Sequence, residues 1–382
     1  MFNNLFFLAI SFELSLYLIT LFALSRIQVE SREETVLLRF KSSLPMSAIL
    51  FSGVILLSAS IGSTNLSVIH ESLQRMGQES DLSLNLSAPA LGIFLIMTGA
   101  AFRMGTVPTN FCVRFIQKEM PYWVSILSAL AFICLGLIFL VLFVNKITVI
   151  SFVDAEQILS LLALIVLTTT AGLLLIEKEL KAILVLFMMQ FTGVFLAQLS
   201  STCWKWRHDS SEFEASSILD AIKEFFPELL LSYLAILGLA CLLDSLSDRQ
   251  SEVNYPNQIQ GLIGDQRFLG SAAIFLLAIL IGFPGLSVFR MRWQTLISLF
   301  EIHQESPVGM IPTVHLGYLG LGTVIVISSM IVSFVCAKLM IQICFVKPLA
   351  RYRQIAHKGM ALICFCSVIS LLILNLRMIV KF

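Results

Sequence analysis

Apolar runs close to the length of a bilayer crossing recur from one end of this sequence to the other. About 20 helical residues span the ~30 Å hydrocarbon core of a membrane. No water is available there to bond stray backbone groups, so a crossing segment is either a helix or part of a closed barrel. None of the runs alternates apolar and polar residues as barrel strands do. The pattern predicts an all-α polytopic membrane protein. Composition agrees: 58% of residues are hydrophobic and 13% charged, against about 25% charged in soluble domains.

The candidate spans are 4–24, 46–64, 90–120, 122–144, 157–175, 181–200, 226–244, 268–303, 315–345 and 358–380. That makes about ten transmembrane helices. The first lacks a basic leading region and a small-residue cleavage site, so it reads as a retained helix. The net charge of +1 and the absence of a basic tail argue against a nucleic-acid partner. The lipid bilayer is the first partner. The eight cysteines are scattered; Cys364 and Cys366 form a lone C-x-C in an apolar run, read as small helix residues rather than metal ligands. No two histidines stand at metal-ligand spacing. The polar segments 201–225 and 245–267 read as surface loops or contacts to neighbouring chains.

Two runs are too long for one crossing: 90–120 and 268–303. Each is interrupted by proline and glycine, Gly105 and Pro108 in one and Gly282, Pro284 and Gly285 in the other. Each also carries arginine, Arg103 and Arg292. Interrupted helices at corresponding places point to two inverted repeats with a polar site at mid-membrane. The spacing predicts a shortened first repeat over 1–145, a second over 146–345, and an extra helix in 346–382. With the N-terminus outside, about twice as many loop lysines and arginines fall inside as outside, which predicts both termini on the outer face.

Glu13 lies in the middle of the first span. A charge there costs about 2.5–3.5 kcal/mol on insertion scales, so it needs a partner, water or a proton. It is a member of an ion path or half of a structural ion pair. Arg103 either joins an internal polar site or snorkels from a helix end. Arg290 and Arg292, about 200° apart on a helix, face different surroundings, with Trp293 beside them as an interface anchor. Lys181 either belongs to the charge path or is a basic residue at a helix end; Glu177 would pair with it at i−4 if that turn were helical. Lys338 is placed to snorkel, and Glu228, after Pro227, suits the first turn of a helix.

Four segments in order resemble one family. ISFEL and SREETVLLRF, AFRMGTVPTNF, ELKAILVLFMMQFTGVFLA and GFPGLSVFRMRW are similar to motifs of the antiporter-like membrane subunits of proton-pumping NADH–quinone oxidoreductase (respiratory complex I), most of all subunit N. The resemblance implies a fourteen-helix fold of which this chain matches the last ten. It implies an acid at Glu13 and basic members of an intramembrane charge axis at Arg103, Lys181 and Arg292. Three positions depart from the family pattern: Ile133 where a central lysine is expected, and Phe191 and Asn110 where histidines are expected. Arginine keeps its proton where lysine can give one up, so Arg103 and Arg292 make poor members of a proton relay. The resemblance further implies a membrane translocase without a redox centre on this chain, and the lack of a transit-peptide pattern points to a bacterial inner membrane. Quinone, FMN and iron–sulfur clusters would sit on partner subunits, among other complex I membrane subunits. A related cation/proton antiporter or membrane-hydrogenase subunit, or a non-pumping scaffold, remain alternatives.

Overall fold

The computed structural model describes residues 3–25, 29–79, 88–104, 121–147, 155–208, 217–247, 253–305 and 312–346, with Val368 and Leu371. The described residues form helices α1 (Leu5–Leu24), α2 (Val29–Ile61), α3 (Leu66–Glu79), α4 (Ala88–Arg103), α5 (Tyr122–Ile147), α6 (Ala155–Ile176), α7 (Leu180–His208), α8 (Ser217–Leu246), α9 (Arg267–Ile281), α10 (Ser287–Glu305) and α11 (Pro312–Phe345). Seven of them are long and apolar enough to cross a membrane, and α4 and α9 are shorter apolar helices. The chain is a multi-pass helical membrane protein. The run 358–380 apart from Val368 and Leu371, together with Gly105, Pro108, Asn110 and the C-x-C pair, lies outside the described residues.

The contacts divide the chain into two compact units that interleave along the sequence. The first holds Met1–Met120, Ser128–Leu162 and Leu199–Ala221. Its tightest seam joins α2 to α4. A Cβ on Gly99 would stand 2.8 Å from the Leu50 nitrogen, and one on Gly53 2.8 Å from the Gly92 carbonyl oxygen. Small residues let the two backbones touch, which is how helices gain packing where lipid removes the hydrophobic drive between them. Phe12 of α1 stacks on Phe139 of α5 with ring centroids 4.7 Å apart.

Helix α3 has no counterpart among the apolar runs. Its Leu66, Ile69 and Leu73 are buried at helical spacing, but its other face is polar, so a search for continuous apolar stretches passes over it. Its start is tied to the start of α1: Leu5 N–H donates to the Thr64 carbonyl at 2.8 Å, and Leu66 N–H to the Asn3 carbonyl at 2.7 Å.

The second unit holds Pro121–Leu127, Ala163–Gln198 and Ile222–Phe382. Here α7 is buried without interruption from Leu180 to Gln198, as expected of a helix apolar on all sides. Its few polar groups are matched by neighbours. Thr170 of α6 donates to Gln190 Oε1 at 2.6 Å, and the Thr192 and Tyr233 hydroxyls are 2.8 Å apart.

The two expected surface loops are corrected. α7 continues to His208 and α8 begins at Ser217, so much of 201–225 is helix. Segment 253–265 is anchored to its own unit: Gly261 N–H donates to the Gln342 carbonyl at 3.0 Å, Leu180 N–H to the Asn254 carbonyl at 2.9 Å, and Ile259 and Leu262 are buried.

Substituting Gly99 by alanine forces two backbones apart and is expected to cost about 1–3 kcal/mol. Gly172, with nothing within 4 Å of its Cβ position, accepts alanine without loss. Thermal unfolding of the two variants in detergent distinguishes them; equal melting temperatures would contradict the close α2–α4 seam.

Candidate functional site

Glu13 and Arg103 meet. Arg103 is the last residue of α4, and α2 holds α4 in place so that its guanidinium reaches α1. Nε donates to Glu13 Oε1 at 2.9 Å, and Nη2 donates to Oε2. The pair is therefore bidentate, the strongest form of this contact. Ser47 of α2 adds a hydrogen bond to Oε2 at 3.1 Å, and the Arg103 guanidinium lies 5.3 Å from the Tyr17 ring centre. Both residues are buried, at 4% and 8% exposure. Arg103 is thus paired inside the unit.

The second unit carries the helix break. Gly282 (φ +83°) and Gly285 (φ +90°) take the left-handed conformation that side chains disfavour. Pro284 stands between them without an N–H to donate. Gly282 caps α9 through the Ile279 carbonyl at 3.1 Å. The Ile281 carbonyl is freed, and Arg292 supplies what it lost: Nη1 donates to it at 2.9 Å. Ser333 of α11 approaches the same oxygen at 3.4 Å. Phe283, Pro284 and Gly285 are exposed, while Arg292 is buried.

Arg292 is 8% exposed. Its guanidinium lies 5.6 Å from the Phe191 ring centre, and its Nε and Nη2 have no hydrogen-bond partner among the described residues. Arg292 thus meets Phe191, one of the departures from the resembled pattern, as a cation over an aromatic face. Ile133, the other departure within the described residues, is buried in α5.

Lys181 is also buried, with Nζ 4.9 Å from the Tyr122 ring centre. The helical turn that an i−4 pairing with Glu177 required is not present. α7 begins at Leu180, so Glu177 is outside the helix, and its Oε1 accepts the backbone N–H groups of Lys178 and Glu179 at 3.0 and 3.2 Å.

Sequence reasoning missed Glu228. The helix does not start at Pro227 but ten residues earlier, which places Glu228 inside α8. It is 1% exposed and 3.0 Å from Arg290 Nε. Arg290 and Arg292 do face different surroundings, as their spacing requires, and Trp293 is exposed. The available signal was the acid's place between FFP and LLLSY, an apolar setting that demands a counter-charge.

The sequence matches the family described as NADH:quinone oxidoreductase/Mrp antiporter, TM, over residues 3–320. The chain belongs to this family. Solved relatives share its fold. A chain of respiratory complex I from Thermus thermophilus is 17% identical, with TM-score 0.68, covering 98% of this chain and 73% of that one. A chain of the archaeal membrane-bound sulfane sulfur reductase is 12% identical, with TM-score 0.73 and 98% and 69% coverage. A chain of the Mrp complex from Dietzia sp. DQ12-45-1b is 14% identical, with TM-score 0.70 and 98% and 71% coverage. No curated protein sequence matches the chain. At these identities the similarity shows a common antiporter-like fold and does not separate one complex from another. Among the described residues no group of three or more His, Cys, Asp or Glu side chains could hold a metal ion.

Leucine at Glu13 alone, or at Arg103 alone, strands a buried charge and is expected to cost about 3–5 kcal/mol. Replacing both together recovers most of that loss. A double-mutant cycle on detergent unfolding measures the coupling; additive single effects would mean the pair is not formed.

Proposed function

We propose that this antiporter-like chain is a membrane-arm subunit of a quinone-reducing, NADH-oxidising complex, related to subunit N. In this reading it holds a buried charge network that stabilises its own fold, and it does not conduct protons itself. The observation that carries the proposal is the state of its arginines. Arg103 is locked bidentately to Glu13. Arg292 is held between a backbone carbonyl and a phenyl ring. Neither group exchanges protons near neutral pH, so each provides a standing charge and a poor relay. Lys181, a buried amine on α7, is the titratable basic member of the set.

On this proposal residues 1–145 and 146–345 are two antiporter-like repeats, and 346–382 adds a helix. The protein works in a bacterial inner membrane with both termini on the periplasmic face. Quinone, FMN and iron–sulfur clusters belong to partner subunits, and this chain contributes no redox step. Membership of a cation/proton antiporter complex is the second reading, favoured by the comparable likeness to the Mrp chain.

Gentle-detergent purification from native membranes, with mass spectrometry of the companions, tests the assignment. Recovery with a quinone-reductase arm is the expected result; recovery alone, or with antiporter chains only, overturns it. Within the recovered complex, Glu13→Leu/Arg103→Leu removes the charge pair without stranding either partner. Protons moved per electron pair should stay near the unmodified value, and a large fall would sink the non-conducting reading.

A further inference from the structure

A cleft of about 350 Å³ opens in the second unit, between the end of α6, the Tyr255–Asn257 segment and α11. Its chemistry is divided. Leu174, Ile183, Val335 and Leu339 make a buried apolar wall. Of its lining residues, Leu175 and Phe334 are exposed at 59 and 63%, and Ile176, next to Leu175 in the chain, at 76%, an apolar face suited to acyl chains. The crossing segment of α6 stops at Ile176, so the turn that follows stands at headgroup level. Tyr255, half exposed with one polar end, suits the same depth.

Two ammonium groups line this cleft, those of Lys178 and Lys338. Both residues are exposed, and among the described residues neither side chain has an ion-pair partner. Lys338 lies seven residues before the end of α11, roughly 10 Å below it along the helix axis. A cation at that depth favours an anion close by. The carboxylate in the cleft, Glu177, has its Oε1 turned to its own turn, accepting two backbone N–H groups. Gln342 also lines the cleft, and its Oε1 is buried without a hydrogen-bond partner.

We propose that this cleft binds an anionic phospholipid, its phosphate between Lys178 and Lys338 and the upper part of its acyl chains against Phe334 and Leu339. A hydroxyl-bearing headgroup, such as glycerol, would also give the Gln342 oxygen a donor. The volume is at the lower end of the ~300–1,000 Å³ of small-molecule sites, enough for a headgroup and the first carbons while the rest of the lipid stays in the bilayer. Basic pockets between membrane helices recognise anionic headgroups in this way. A neutral quinone ring would leave both lysines without a counter-charge. A soluble anion would leave the apolar wall unfilled.

The test uses the full chain, with whatever subunits copurify, in nanodiscs of phosphatidylcholine alone or with phosphatidylglycerol. Amine-reactive footprinting of the unmodified protein is expected to show Lys178 and Lys338 protected only when phosphatidylglycerol is present. Native mass spectrometry should show retained phosphatidylglycerol, with affinity reduced roughly 30-fold in Lys178→Gln/Lys338→Gln, from about 1 kcal/mol per lysine. Lys41→Gln/Arg75→Gln removes the same charge elsewhere and should retain the lipid. The proposal is overturned if the two lysines stay reactive in phosphatidylglycerol, or if the control loses the lipid equally. It is also overturned if phosphatidylcholine is retained as well, or if equimolar glycerol phosphate or inorganic phosphate displaces the lipid, which would assign the site to a soluble anion.

Discussion

The carboxylate of Glu13 finds its counter-charge ninety residues away, on a helix that could reach it only through close packing. Hydrocarbon offers no water to solvate a lone charge, so the pair and the packing depend on each other. Glycines at 53, 92 and 99 bring α2 and α4 into backbone contact, and that contact presents Arg103 at the right height. Ser47, on α2, adds its hydroxyl to the same carboxylate. A charge network in the first unit is thus a consequence of small residues two helices away from the acid.

The second unit meets the same constraint with a different device. Breaking a helix in a membrane frees carbonyls that lipid cannot satisfy. Here a residue beyond the break repairs it: Arg292, in the second turn of the outgoing helix, reaches back to Ile281. The arginine and the Gly-Phe-Pro-Gly turn explain one another. The arginine gives the orphan carbonyl a donor, and the carbonyl and Phe191 give the buried arginine a polar and an aromatic contact. Such a group satisfies the break from within its own unit.

Most of the fold was legible. Continuous apolar runs of crossing length dictate helices because no other structure satisfies the backbone in lipid, and α1, α5, α6 and α11 fall close to where the runs lie. The break at Gly282 was legible too, since glycine and proline within a long run have few other uses. Features that are half polar were not. α3 is amphipathic, the 253–265 segment is held by backbone hydrogen bonds that any residue could make, and Glu228 looked like an N-terminal acid because proline usually opens a helix rather than sitting ten residues inside one.

The sequence by itself determined that this is a helical membrane protein, where one helix breaks, and which few charges must be answered inside it. These are local requirements of hydrocarbon on a backbone and on an ionised side chain. Which charge answers which was decided only in three dimensions. Arg103 took Glu13, Arg290 took Glu228, and Arg292 took a carbonyl. All three cations are alike in chemistry, and only the distances and directions set by helix packing distinguish their partners.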